Sequence, residues 1–339
     1  MPFQIDPILA TEKIQFVVGD ITKRDYGIDP SVLSEMARCV TLIIHSAGNI
    51  SLTDSLGKSV YDNCIPALEL AQMASKFTGL SRFVHISTAY ANSFLPDGVV
   101  EEKIYEMGDA ESQLAEILDK GSISDEIMNF PWPYAFAKHL TERLLLSRHP
   151  ELPLLIVRPT NLGPAISQPY PFYGPPGSCP VSTYIRTYME APDSGVVHVS
   201  PHNLTGSNIV DEIPVDLAAN LILLHVMHGS AHIVHASAQS YTPRRLSQFH
   251  DDIRRHIPWV LPAVPFRYLS NKRIEQGRYA QFWVVMGRDW IFSNDASKVF
   301  AGLGGPLSIV LESHDVARFM DRRAKIIAED IMSNYRSKL

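Results

Sequence analysis

The chain has 339 residues, a mass of 37.8 kDa and a formal net charge of −6, with 45% hydrophobic and 19% charged residues. That apolar share excludes an intrinsically disordered chain and is enough for one large or two modest domains. The acidic balance argues against a general nucleic-acid binder, which carries a basic surplus, and no apolar run approaches the roughly 18–20 residues of a membrane span.

Residues 14–18 (IQFVV) form a short β-branched run closed by Gly19-Asp20. Residues 31–38 read as a helix. Residues 40–45 (VTLIIH) are a second strand, stopped by Ser46-Ala47-Gly48. A helix over 60–77 follows, with Gly79 just past its end. Residues 82–87 (RFVHIS) and 154–158 (LLIVR) are further strands, separated by a helix over 134–148. Near-continuous apolar strands alternating with helices predict βαβ units and a parallel sheet buried on both faces.

Beyond Pro159 the pattern changes. Residues 168–180 (QPYPFYGPPGSCP) are too rich in proline, glycine and aromatics for regular helix and read as an ordered loop. A helix is expected over 213–227, a strand over 231–236, mostly helix from 242 onward, and a last amphipathic helix over 315–335. Residues 302–305 (GLGG) read as a turn. Cys39, Cys64 and Cys179 lie far apart and match neither a disulfide framework nor a zinc pattern, so a reducing intracellular compartment is expected. Of the thirteen histidines, those at 45, 85, 198, 202, 225, 228, 232 and 235 lack the spacing of a metal site, and no metal is expected.

The strongest chemical signal is Tyr134-Ala-Phe-Ala-Lys138 at a helix start. Residues four apart share a helical face. An ammonium beside a phenol favours the phenolate, which suits proton exchange with a substrate oxygen. Alone, such a pair is more often an ordinary surface feature. Its context includes Ser87 and Thr88, two hydroxyls ending a buried strand, where open α/β sheets bind ligands. Either could hold a substrate oxygen beside Tyr134, or could be a plain turn residue.

Taken together, these pieces resemble the extended short-chain dehydrogenase/reductases. They are most similar to the fatty acyl-CoA reductases of male-sterility type and to the terminal thioester reductase domains of peptide and polyketide synthetases. The likeness rests on Gly19-Asp20-Ile21, on His45 to Gly48 (HSAG), on Asn63, on 85–92 (HISTAYAN), on Tyr134 to Lys138, on 157–164 (VRPTNLGP) and on 211–216 (DEIPVD). The fold it implies is α/β: a Rossmann-like, doubly wound parallel sheet, shortened on its N-terminal side, with a smaller, mostly helical C-terminal substrate domain. Residues 1–165 would form the NAD(P)-binding domain, with 206–236 returning to it. Residues 166–205 and 237–339 would form the substrate domain.

The resemblance also implies roles. Tyr134 would give the proton, Lys138 would lower its pKa and hold the nicotinamide ribose, and Thr88 would bond the substrate carbonyl, with Ser87 as second candidate. Asp20, Ile21, Ala47, Gly48 and Asn63 would line the adenine and ribose side of the cofactor. Pro159 and Thr160 would lie near the nicotinamide. The expected reaction is hydride transfer from NADPH to an acyl-CoA or carrier-bound thioester, giving aldehyde or alcohol.

One element of the pattern is missing: no G-x-x-G-x-x-G occurs in the sequence. Such a loop offers backbone N–H groups and a helix N-terminus to the pyrophosphate. Two other readings therefore stand beside the reductase: a redox-neutral acid–base enzyme, isomerase or lyase, and an inactive interaction subunit.

Ser337-Lys338-Leu339 matches a peroxisomal address, which implies an import receptor as partner and the peroxisome as location. A homodimer is open as the oligomeric state. The run Arg322-Arg323-Ala324-Lys325 reads as a solvated helix face. The apolar residues of 259–268 fit an acyl pocket or plain core packing equally well.

Overall fold

The computed structural model describes residues 10, 11, 13–123, 129–174, 177–190, 195–230, 233–263, 265–270, 283–311 and 313–337. The main sheet has four parallel strands: β1 (Leu42–His45), β2 (Arg82–Ile86), β4 (Leu154–Pro159) and β9 (Ile233–Ala236), in the order β1-β2-β4-β9. The register is unbroken, with His45 opposite His85, Val84 opposite Leu155 and Pro159 opposite Ala236. The central strand β4 is buried along its whole length, as its uninterrupted apolar run requires.

Helices α1 (Pro30–Cys39), α2 (Leu56–Ala74), α3 (Ala110–Lys120) and α4 (Pro133–Arg148) precede β4. Each start has a local cause. The side chains of Asp29, Ser55 and Asp109 accept N–H bonds at the first three starts, and Pro133 opens α4 at a position where no amide donor is needed. Gly121 closes α3 in the left-handed region, at φ 70°. Helices α2 and α4 lie against each other and bury Val60, Cys64, Leu68, Phe136, Leu140 and Leu144 on one face of the sheet. The other face is covered by α6 (Val215–His228), whose Leu217 and Leu221 meet Val84, Val157 and Val234.

A second core holds α5 (Pro180–Glu190), α7 (Leu246–His256) and α8 (Val316–Arg336) around Tyr184, Phe249, Met286 and Ile327. Four strand pairs surround the main sheet. They are β3 (Gly98–Val100) with β12 (Trp290–Phe292), and β5 (Asn161–Gly163) with β8 (Glu212–Pro214). The others are β6 (Val196–His198) with β11 (Arg267–Leu269), and β7 (Ile209–Val210) with β10 (Arg244–Arg245). No helix of the described residues is long and apolar enough to cross a membrane.

Four expectations are corrected. Residues 14–18 form no strand; Phe16 is 79% and Val18 91% exposed. A strand exists through its ladder, and no described strand lies beside this run to accept and donate its bonds. The helix expected from 213 starts at Val215, because Glu212–Pro214 pairs with Asn161–Gly163. Between 257 and 315 the described residues hold no α-helix, only two short strands and 3-10 turns. Arg323 is not solvated: its guanidinium is buried and bonds both carboxylate oxygens of Glu212, at 2.8 and 2.9 Å. In the 259–268 stretch, Phe266 and Tyr268 pack into the second core, while Trp259 is exposed.

Leu144→Ala should destabilise the chain by about 2–5 kcal/mol, the usual cost of emptying a fully buried leucine site. Phe16→Ala should stay within about 0.5 kcal/mol, as for exposed positions. Urea unfolding of both variants checks this, and a large loss at Phe16 would mean that 14–18 pairs as a strand after all.

Candidate active site

Tyr134, Lys138 and Glu142 follow one another at four-residue spacing on α4 and share one face of it. That face grips the end of β2 on two consecutive turns. The Lys138 ammonium donates to the Ile86 carbonyl at 3.1 Å, and the Ser87 hydroxyl donates to the Glu142 carboxylate. Glu142 also receives Arg158 of β4, through Nε at 3.0 Å and Nη2 at 2.5 Å. Both side chains of this ion pair are 0% exposed. Arg158 Nη1 further donates to the Lys103 carbonyl at 2.9 Å. One buried carboxylate thus ties α4, β2 and β4 together at the C-terminal edge of the sheet.

Tyr134 lies one turn nearer the helix start, and α4 also packs on the 3-10 turn Ala89–Asn92 that follows Thr88. The Tyr134 hydroxyl has no hydrogen-bond partner among the described residues. Burial pushes its pKa up to about 12, so it is a protonated phenol at neutral pH. The expectation that Lys138 depresses this pKa is not met, because desolvation sets the shift. Burial acts on Lys138 as well and lowers its pKa to about 8, against an opposing pull from Glu142. Thr88 Oγ1 accepts the Tyr90 N–H at 3.3 Å and keeps its own proton to donate. Ser87, by contrast, has its proton committed to Glu142.

The turn after β1 reaches the same place. A Cβ on Gly48 would stand 2.6 Å from Asn63 Oδ1 and 3.7 Å from Lys138 Nζ, so the turn approaches Asn63 too closely for any residue but glycine. Asn63 clamps the turn: its Oδ1 accepts Asn49 N–H at 3.2 Å and its Nδ2 donates to the Asn49 and Ser59 carbonyls at 3.0 Å. Ala47 and Gly48 are exposed beside it. At the strand ends, His45 and His85 stack with their Nδ1 atoms 3.2 Å apart. Burial and the nearby Lys138 charge hold both below the usual histidine range, His45 at about 4, so both rings are neutral.

Pro159 ends β4 opposite Ala236, and Thr160 follows it, its N–H donating to the Ala236 carbonyl at 3.0 Å. Next to them Asp211 is wholly buried, and desolvation raises its pKa to about 6. Its carboxylate accepts the Ala238 N–H at 2.6 Å. Asp20 and Ile21 are not brought into this cluster by any described hydrogen bond. The Asp20 carboxylate instead caps its own turn, accepting Thr22 N–H at 3.0 Å and Thr22 O–H at 2.7 Å. The structure therefore brings Lys138, Gly48 and Asn63 together, with Tyr134 one turn away on the same helix and Thr88 at the head of the 3-10 turn that this helix packs on.

Sequence reasoning missed Glu142, and gave no role of their own to His45, His85 and Asp211, which it used only as parts of matching motifs. Glu142 was within reach, since it continues the four-residue step from Tyr134 and Lys138. The histidine pair needed the β1–β2 register, which only the paired sheet provides.

A family model described as "Male sterility protein" matches residues 3–222. "Fatty acyl-CoA reductase 2" of Homo sapiens is 28% identical over 65% of this chain and 42% of its own length. "Alcohol-forming fatty acyl-CoA reductase" of Simmondsia chinensis is 26% identical over 75% of this chain and 58% of its own length. The chain thus spans about half the length of the curated relatives it matches. Among solved structures, the terminal R domain from the myxalamid PKS-NRPS biosynthetic pathway superposes with a TM-score of 0.62 at 15% identity, over 95% of this chain and 77% of that one. The UDP-glucuronic acid 4-epimerase from Bacillus cereus in complex with NAD gives 0.56 at 15% identity, over 95% and 84%. These two likenesses show the Rossmann-like fold.

Glu142→Ala should cost about 3–5 kcal/mol, because it leaves the Arg158 guanidinium buried and unpaired. Glu142→Leu combined with Arg158→Met should cost much less, since no charge is then stranded. Chemical denaturation of both variants tests this. Equal losses would mean that the pair does not act as a unit.

Proposed function

The chain belongs to the male sterility protein family, and from that premise we propose that it is a nicotinamide-dependent reductase of acyl thioesters. The observation that carries the proposal is Tyr134 and Lys138 on one face of α4, with the Lys138 ammonium held between the end of β2 and the Gly48 turn. A ribose and nicotinamide fit there chemically. Ala47 and Gly48 are exposed to an incoming ligand, and the Lys138 ammonium has more donors than the Ile86 carbonyl uses. Ala47, Gly48 and Lys138 would hold the cofactor, with Asn63 fixing the turn and Pro159 and Thr160 beyond it. NADPH is the cofactor proposed. The pyrophosphate half would need donors that the glycine pattern of this sequence does not supply.

When bound, the nicotinamide supplies the hydride. The protein supplies the proton and the orientation. As the carbonyl carbon is reduced, charge develops on the substrate oxygen. Tyr134 donates its phenolic proton to that oxygen, and the Thr88 hydroxyl donates a hydrogen bond to it. The positive charge of Lys138 stabilises the phenolate that forms, so lysine matters most after the proton has moved. Substrate class follows the relatives, which carry the name fatty acyl-CoA reductase. Residues 1–165 with 206–236, and 166–205 with 237–339, are kept as the proposed division of labour between cofactor and substrate.

Tyr134→Phe should reduce kcat by at least about 100-fold, the lower end of general acid contributions, with KM little changed. The wild-type rate should fall as pH rises through about 8, where Lys138 loses its proton. Oxidation of NADPH in the presence of a fatty acyl-CoA, followed by absorbance, provides the readout. A folded sample that neither binds NADPH at millimolar concentration nor turns over would point instead to redox-neutral chemistry.

A peroxisomal setting is part of the same proposal. Ser337 closes α8 and is exposed, while Lys338 and Leu339 lie outside the described residues. A fluorescent protein fused ahead of residue 1 should become punctate with a peroxisomal marker, and Leu339→Ala should disperse it. Unchanged puncta would dismiss the address.

A further inference from the structure

A second cavity, of about 500 Å³, lies apart from the Tyr134 cluster, where the chain leaves β9 and meets the segment leading into α8. Its size falls within the roughly 300–1,000 Å³ of small-molecule sites. We infer that it binds a neutral, single-chain amphiphile with a hydroxyl or carbonyl head.

The apolar wall comes from Ile309 and Leu311. Both belong to the core that covers the sheet face, so the wall is held by Leu217, Leu221 and Phe300 behind it. The polar wall is the Tyr241–His314 pair, with the hydroxyl 2.8 Å from Nε2. Ser240 sits beside the pair, accepting from Asn294 Nδ2 at 3.1 Å. Burial raises the tyrosine pKa and lowers the histidine pKa, so this pair is neutral at physiological pH.

Charge decides the ligand class. Lys298 is the one lysine or arginine among the described lining residues, and its side chain is 71% exposed, keeping its ammonium in solvent beside Asp295. A carboxylate or a phosphate seated against the Tyr241–His314 pair would leave water with no charge-assisted partner there, since the Lys298 ammonium stays in solvent, and that is costly. A hydroxyl or carbonyl needs only one or two neutral hydrogen bonds, and the Tyr241 oxygen and the Ser240 hydroxyl can provide them. The alkyl chain then lies along Ile309 and Leu311. This inference does not rest on the reductase reading, because no residue of that cluster lines the cavity.

The test is calorimetric titration of the whole chain, without cofactor, with 1-octanol, octanoate and octanoyl-CoA. Octanol should bind at a site that two tryptophan variants remove, and octanoate and octanoyl-CoA should bind that site at least tenfold more weakly; octanoyl-CoA binding that survives those variants belongs to the Tyr134 cluster. Ala301→Trp, which places an indole in the cavity from an exposed turn, should weaken octanol at least tenfold. Thr242→Trp, also exposed, should do the same from another part of the lining and serves if the first variant does not fold. Tyr241→Phe should weaken octanol several-fold. Tyr134→Phe should bind it like the wild type, so loss of reductase activity and loss of this site are read separately. Octanol binding that survives both tryptophan variants overturns the site. Octanoate or octanoyl-CoA bound as tightly, and lost in the same variants, overturns the neutral class.

Discussion

Glu142 is buried where a carboxylate is expensive, and its partners make it tolerable. Arg158 meets it with two nitrogens and the Ser87 hydroxyl adds a third bond. Desolvating both ions consumes much of their mutual attraction, so the pair contributes less to net stability than its geometry suggests. Its contribution is positional. A fully buried, multiply bonded carboxylate allows one rotation of α4 about its axis, and that rotation aims Lys138 at the Ile86 carbonyl and carries Tyr134 past the end of β2. A helix held by leucines alone could roll, since apolar contacts are not directional.

The same edge of the sheet sets the electrostatics. Burial raises the Tyr134 pKa and lowers that of Lys138, so each is pushed toward its neutral form and the two values move apart. The histidine pair at the ends of β1 and β2 stays neutral beneath them, adding polar surface without a competing positive charge. An ammonium surrounded by neutral groups and one carboxylate a turn away is placed to respond to a charge that forms transiently nearby.

The second core is attached by a similar device. Glu212 sits on β8, against β5, and receives Arg323 from α8. A Cβ on Gly163 would come within 2.9 Å of Glu212, so the glycine lets β5 close over the carboxylate. Asp216, two residues after Pro214, accepts the N–H groups of Ile166, Ser167 and Gln168. Acidic residues of one short stretch, Asp211 to Asp216, thereby fix the C-terminal helix, the exit of β9 and the loop beyond β5.

The sequence alone determined what depends on local pattern. Continuous apolar runs marked β1, β2, β4 and β9, and helical spacing marked α2, α4 and α8. The four-residue step from Tyr134 to Lys138 put the chemistry on one helical face. Burial and pairing belonged to the tertiary structure. Whether 14–18 becomes a strand depends on a neighbour, and hydrogen-bond ladders are made between segments distant in sequence. Arg322, Arg323 and Lys325 look alike in the chain, yet only Arg323 finds a buried carboxylate, supplied from 111 residues away. Ser87 and Thr88 are adjacent hydroxyls with opposite fates, because one faces Glu142 and the other keeps its proton. Those outcomes follow from the environment that the fold builds around each side chain, and residue type does not encode that environment.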